Sequence, residues 1–147
     1  MPALPAHVFD FISQPNPAVM ATVTPDGRPV SVQVWYLAED PGHILLSIAS
    51  GNSRGGRLQH LRNEPRMSLT VLDRGDWTEA VTVLGTAVEF SDDADLAIID
   101  AMASHYLGGR HAKREPRTAV RIRIDEWMEH SNAAFGATTA GEGGAVG

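Results

Sequence analysis

At 147 residues with 43% hydrophobic side chains, the chain fits one domain with enough apolar content for a core, and no second domain is expected. A net charge of -6 disfavours a nucleic-acid partner, and the absence of cysteine removes disulfides, thiolate nucleophiles and cysteine metal sites together. No apolar stretch approaches the ~20 residues of a membrane span, and the start MPALPAHVFDF lacks the basic and apolar segments of a signal peptide, so a cytoplasmic protein is expected.

In chain order, residues 4–13 (LPAHVFDFIS) place Leu4, Val8, Phe11 and Ile12 at helical spacing and end at the breaker QPNP. Residues 18–24 (AVMATVT) read as a strand, PDGRP as a tight turn, and residues 30–37 (VSVQVWYL) as the returning strand of a hairpin. Alternation puts Val30, Val32, Val34 and Tyr36 on one face, expected to be core, and Ser31, Gln33, Trp35 and Leu37 on a mixed face suited to a ligand. After the turn EDPG, residues 44–49 (ILLSIA) complete a meander. Residues 67–72, the loop DRGDW and residues 80–90 follow, with Gly85 inside the long strand marking a bulge or bend. Ser91 is expected to cap a helix running to about Tyr106, with Asp92, Asp93 and Asp95 at its positive end. A basic loop (LGGRHAKREPRT) leads to a last strand, residues 119–127, with Arg121 and Arg123 facing out. The expectation is a mainly β domain over residues 1–136, a six-stranded antiparallel barrel with helical decorations, and a disordered tail over residues 137–147.

The most informative segment is residues 53–66, SRGGRLQHLRNEPR. Turn residues 50–53 break the preceding strand, and Ser53 or Asn52 can cap a helix whose free amides favour an anion. Arg54 and Arg57, three apart, share a face, while Leu58 and Leu61 point inward and Pro65 ends the helix. The bland alternative is a solvated basic helix. His60 on this helix is expected to be exposed.

These pieces together resemble the split β-barrel superfamily of pyridoxamine 5'-phosphate oxidases and related flavin and deazaflavin oxidoreductases. The resemblance rests on PDGRPVSVQVWY, the strand ILLSIA, the arginine helix closed by NEPRMSL, and the strand carrying LGTA. It is most similar to the short enzymes that use the deazaflavin coenzyme F420. It implies an F420-dependent oxidoreductase moving a hydride to an unsaturated or conjugated small molecule, with an FMN enzyme or a non-enzymatic flavin- or haem-binding protein as alternatives. It also implies a homodimer with the cofactor between subunits. By position, Arg57 falls where the family has a basic residue on the cofactor phosphate, nine residues before Arg66, with Ser53, Arg54 and Leu58 beside it. Val32, Gln33, Val34 and Trp35 would run along the ring with Ser47, Ile48 and Ala49, and Trp77 could reach the partner's cofactor. The basic loop, through Arg110 and Arg114, would help hold an acidic oligoglutamyl tail. No C-terminal arginine-rich segment is present, which disfavours vitamin B6 oxidation.

No protein nucleophile is needed where a redox cofactor carries the chemistry, which accords with the lack of a glycine elbow, HExxH or GxGxxG. The six histidines stand at unrelated spacings, so no metal site is expected and no catalytic side chain can be singled out.

Overall fold

The computed structural model of the chain describes residues 3–51, 56–131 and 138–140. The elements are α1 (Ala6–Ile12), β1 (Ala18–Val23), β2 (Pro29–Val34), β3 (Leu37–Asp40), β4 (His43–Ala49), α2 (Arg57–Asn63), β5 (Arg66–Leu72), β6 (Ala80–Asp92), α3 (Ala97–Leu107), β7 (Arg117–His130) and β8 (Thr138–Ala140). Seven strands pair along one path, β2-β1-β5-β6-β7-β4-β3, and β8 joins the far end of β7. Every described pairing is antiparallel.

This is an open seven-stranded sheet with an added short strand, where the sequence suggested a six-stranded split barrel. The difference arises at residues 35 and 36. The expected strand 30–37 divides there into β2 and β3, which stand at opposite ends of the strand order. Three Cα steps join Val34 to Leu37 and span at most ~11 Å. The sheet therefore has to curl until its two ends nearly meet, although the described residues form no β2–β3 ladder.

Period-two burial on the inner face builds the core. Met67, Leu69 and Val71 of β5 alternate inward, as do Ile44, Leu46 and Ile48 of β4, and Val120, Ile122 and Ile124 of β7. Because β2 has only one neighbour, its expected core face is not buried: Val30 is 38% exposed, and Val32 and Val34 are half-buried. Only Tyr36, outside the strand, is fully inside.

Gly85 does sit at an irregularity. Leu84 is opposite Glu126 and Gly85 opposite Ile124, so Asp125 is the extra residue of a bulge. The inward phase of β7 changes there, from Ile122 and Ile124 to Trp127.

Strand β6 continues through Ser91 and Asp92, so Ser91 does not cap α3. The buried Asp93 does that work instead, its carboxylate accepting from the Ile98 and Ile99 amides at 3.1 and 3.0 Å. Helix α2 begins at Arg57 after Gly56, without a side-chain cap, rather than at residue 53; residues 52–55 lie outside the described part. Thr138–Ala140, read as tail, pair with Met128–His130. No helix among the described residues is long and apolar enough to cross a membrane.

A Cβ on Gly85 would lie 2.5 Å from Ile122 Cγ2 and 2.8 Å from the Arg123 carbonyl oxygen. Gly85→Ala is therefore expected to destabilise the protein by ~1–3 kcal/mol, the usual cost of overpacking, read as a lowered urea midpoint. An unchanged midpoint would show that the bulge yields.

Candidate functional site

The gap between the two ends of the curled sheet holds a cavity of about 560 Å³, within the range of small-molecule sites. Its apolar floor is Ala18 and Met20 of β1 with Leu46 and Ile48 of β4. Ile99, Met102 and Tyr106 of α3 and the prolines Pro15 and Pro17 close one side, and Gln33, Val34 and Trp35 form a rim. The ladder from β3 reaches β4 only as far as Leu45, and β2 is the terminal strand. Backbone edges of both strands are thus left for a ligand beside the cavity.

One end is cationic. Arg57 opens α2 and Arg117 opens β7, and both line the cavity with Ser47. Arg117 is tied down: Nε donates to Ser47 Oγ at 2.8 Å, and a terminal nitrogen donates to the Ser47 carbonyl at 2.9 Å. Glu115 stands 3.7 Å from it. The Arg57 side chain has no hydrogen bond or ion pair among the described residues. Burial lowers the pKa of both guanidinium groups below the ordinary value, and the neighbouring charge of Arg117 lowers Arg57 further. Arginine nevertheless stays charged at neutral pH. Glu115 and Asp93 both act on Arg117, whereas among the described residues the only charge acting on Arg57 is that of Arg117, so Arg57 is left without counter-charge that a phosphate would supply.

The other end is aromatic. Trp35 and Tyr106 stack with centroids 5.5 Å apart and planes 7° from parallel, and His111 meets Trp35 edge-on at 6.0 Å. The Tyr106 hydroxyl donates to the Asn16 carbonyl at 2.9 Å, and burial pushes its pKa up to about 12. The hydroxyl of Tyr36 donates to the Ile12 carbonyl at 2.6 Å, and burial, then Tyr106, raises its pKa far above the phenol range.

Of the residues singled out from sequence, Gln33, Val34, Trp35, Ser47, Ile48 and Arg57 come together around this cavity. Val32, opposite Met20 in the ladder, and Ala49, opposite Arg117, are outside its lining. Leu58 packs on the core, and Trp77, 74% exposed, stands on the loop between β5 and β6, away from this chain's cavity. Ser53 and Arg54 lie outside the described residues. His60, expected at the surface, is buried, its Nδ1 3.0 Å from Thr22 Oγ1, and joins α2 to β1. Arg62 covers the Phe90 ring at 4.5 Å, and Arg66 pairs with Glu64. Glu39, Asp40 and His43 gather within 4.8 Å, but Glu39 is already held by Arg121 through two 2.8 Å bonds and His43 by Asp40.

The sequence reading missed Arg117, His111 and the α3 residues. Arg117 had been assigned to a loop. Extending the alternation of Ala119, Arg121 and Arg123 two residues backward places it on the strand face of Ser47. Nothing local marks Ile99, Met102 and Tyr106, because α3 reaches the cavity only through tertiary packing.

A curled antiparallel sheet with a cavity at its split is the architecture of the split-barrel superfamily, whose members include oxidoreductases. The model of the family described as pyridoxamine 5'-phosphate oxidase matches residues 4–131, and the chain belongs to that family. The fold is similar to that of a solved F420 reductase, with a TM-score of 0.73 and 19% identity over 84% of this chain and 98% of that one. It is similar also to a conserved hypothetical protein of Mycobacterium tuberculosis (TM-score 0.69, 22% identity, 95% of this chain and 92% of that one). General stress protein 26 of Bacillus anthracis is a third (TM-score 0.61, 14% identity, 91% and 98%). No curated protein matches the sequence.

The two arginines should differ in unliganded protein. Arg117→Gln gives up two bonds to Ser47 and is expected to lower stability by ~1–3 kcal/mol. Arg57→Gln removes one of two repelling charges and is expected to leave stability unchanged or raised. Urea unfolding of both variants checks this; equal losses would mean that Arg57 has a structural partner.

Proposed function

We propose that the protein is an F420-dependent oxidoreductase that reduces an unsaturated or conjugated small molecule, with the cofactor phosphate held by Arg57 and Arg117. The observation that carries this reading is the pair of half-buried arginines, of which Arg57 is short of counter-charge, at one end of a cavity whose other walls are apolar and aromatic. When bound, the deazaflavin supplies the hydride. The chain's part is to hold and shield. Arg57 and Arg117 neutralise the phosphate, and unpaired backbone of β2 and of residues 46–49 is available to ring heteroatoms. Ile99, Met102, Pro15 and Pro17 exclude water from the reacting face. We further propose a homodimer with cofactor sites at the interface, where the exposed Trp77 reaches the partner's site.

FMN is the second reading. It is favoured by the family description itself and by a cationic end that suits any phosphate-bearing flavin.

Titrating the purified protein with F420 and with FMN separates the two. Tighter binding of F420 is expected, and Arg57→Ala should weaken it by ~1–3 kcal/mol. FMN bound on purification would favour the second reading. Failure of both to bind would end both, and an unaltered dissociation constant would remove Arg57 from the site.

A further inference from the structure

Among the described residues lining the cavity, His111 is the one acid–base side chain left with an unpaired ring nitrogen. The arginines stay charged. Ser47 Oγ is engaged by Arg117 Nε, and the Tyr106 hydroxyl already gives its proton to the Asn16 carbonyl.

The loop between α3 and β7 is built so as to hold this ring in place. Gly108 closes α3 in the left-handed conformation at φ 77° and turns the chain back. Arg114 then clamps Asp100 of α3 through contacts of 2.6 and 3.2 Å and donates to the His111 carbonyl at 3.1 Å. The His111 amide donates to the same Asp100 carboxylate at 3.2 Å. The ring itself is fixed by Nδ1, 2.9 Å from the Lys113 carbonyl. A carbonyl can only accept, so Nδ1 carries a hydrogen whatever the charge of the ring. Nε2 is left without a hydrogen-bond partner among the described residues, on a ring that lines the cavity beside Trp35.

We propose that His111, through Nε2, is the residue that hydrogen-bonds a heteroatom of the bound ligand and exchanges a proton with it. In the donating direction the Nε2–H bond breaks, a bond from that proton to ligand oxygen or nitrogen forms, and neutral imidazole remains to be reprotonated by water. This rests on the functional reading above. There the hydride, which carries both electrons, comes from a reduced cofactor of the flavin or deazaflavin class, which is oxidised, and His111 provides the accompanying proton alone. Asp100 and Arg114 are positioning residues.

The charges around the ring are Asp100 on α3 with Asp93 before it, Arg110, Lys113, Arg114 and Glu115 on its own loop, and Arg57 and Arg117 across the cavity; the residue after β2 is the uncharged Trp35. An anion seated on the two arginines cancels positive charge facing His111. Binding of a phosphate-bearing ligand should therefore draw a proton onto the ring, and affinity should fall as pH rises.

Calorimetric titration of wild-type protein with F420 and with FMN, in buffers of different ionisation enthalpy, reads this uptake without any turnover. Near pH 6.5 the wild type is expected to take up a fraction of a proton, up to about one, beyond what the ligand's own phosphate contributes. H111Q and H111N should still bind the cofactor but lose that fraction. Cofactor binding with undiminished proton uptake in both variants would overturn the assignment of His111 alone. Failure of both cofactors to bind wild-type protein would overturn the functional reading, and this proposal with it.

Discussion

Trp35 and Tyr36 form the whole connection between β2 and β3, the two ends of a seven-strand path, and the shape of the molecule depends on that short tether. Two residues cannot span a flat sheet whose ends lie six strand spacings of about 4.8 Å apart. The sheet must roll up, and the place where it fails to close becomes the cavity. The tether is held on both sides. Tyr36 is driven inward and bonded to the end of α1, while Trp35 stacks on Tyr106 of α3. One face of the link thus secures the fold, and the other furnishes a wall of the site.

The same geometry explains how an acidic chain keeps a cationic site. Most described cations are matched at the surface: Arg121 with Glu39 and Glu89, Arg123 with Asp125, Arg66 with Glu64, and Arg114 with Asp100. Such exposed pairs contribute little to stability, but they leave the long-range field negative. Arg57 escapes this pairing, and Arg117 has only Glu115 at 3.7 Å, because they stand at the first residues of α2 and β7, where both elements line the split. Desolvation there raises the energy of the unliganded state, and an anion of suitable shape recovers it. Arg57, which stabilises the fold least, is in this way a residue free to bind selectively.

Most strand positions along the chain were legible because period-two alternation and glycine-proline turns are local signals, clear in residues 18–24, 44–49 and 67–72. The expected meander was not found, since among the described residues β4 pairs with β3 and β7 and not with β2. Closure of the sheet was not legible, since VSVQVWYL alternates without interruption through the point where the chain changes sheet ends. That break is imposed by Tyr36 finding the Ile12 carbonyl 24 residues away. For the site, Arg57 and the residues 33–35 and 47–48 could be found from pattern and resemblance. Arg117 was hidden by loop-like neighbours, Glu115 and Pro116, which directly precede the strand it opens. His60 was misplaced for a related reason: one polar residue in a basic helix reads as solvated until Thr22 on β1 is seen to meet it.

The long strands β6 and β7 carry information across the molecule that neither hairpin could supply alone. Their pairing runs from Ala80 opposite His130 to Asp92 opposite Thr118, so both ends of the sheet are registered by a single ladder. At one end Asp93 follows directly, accepting α3 amides through its carboxylate and donating its own amide to the Arg117 carbonyl. The start of α3 and the start of β7 are therefore fixed to each other by one buried residue, through its carboxylate and its backbone amide. The chain between them returns from Gly108 to Arg117 over a closed circuit, with Asp100 and Arg114 joining its middle. Position is thereby defined at three points, and a loop of glycine and charged residues, which composition alone marks as solvated, carries His111 to one end of the cavity and Arg117 to the other.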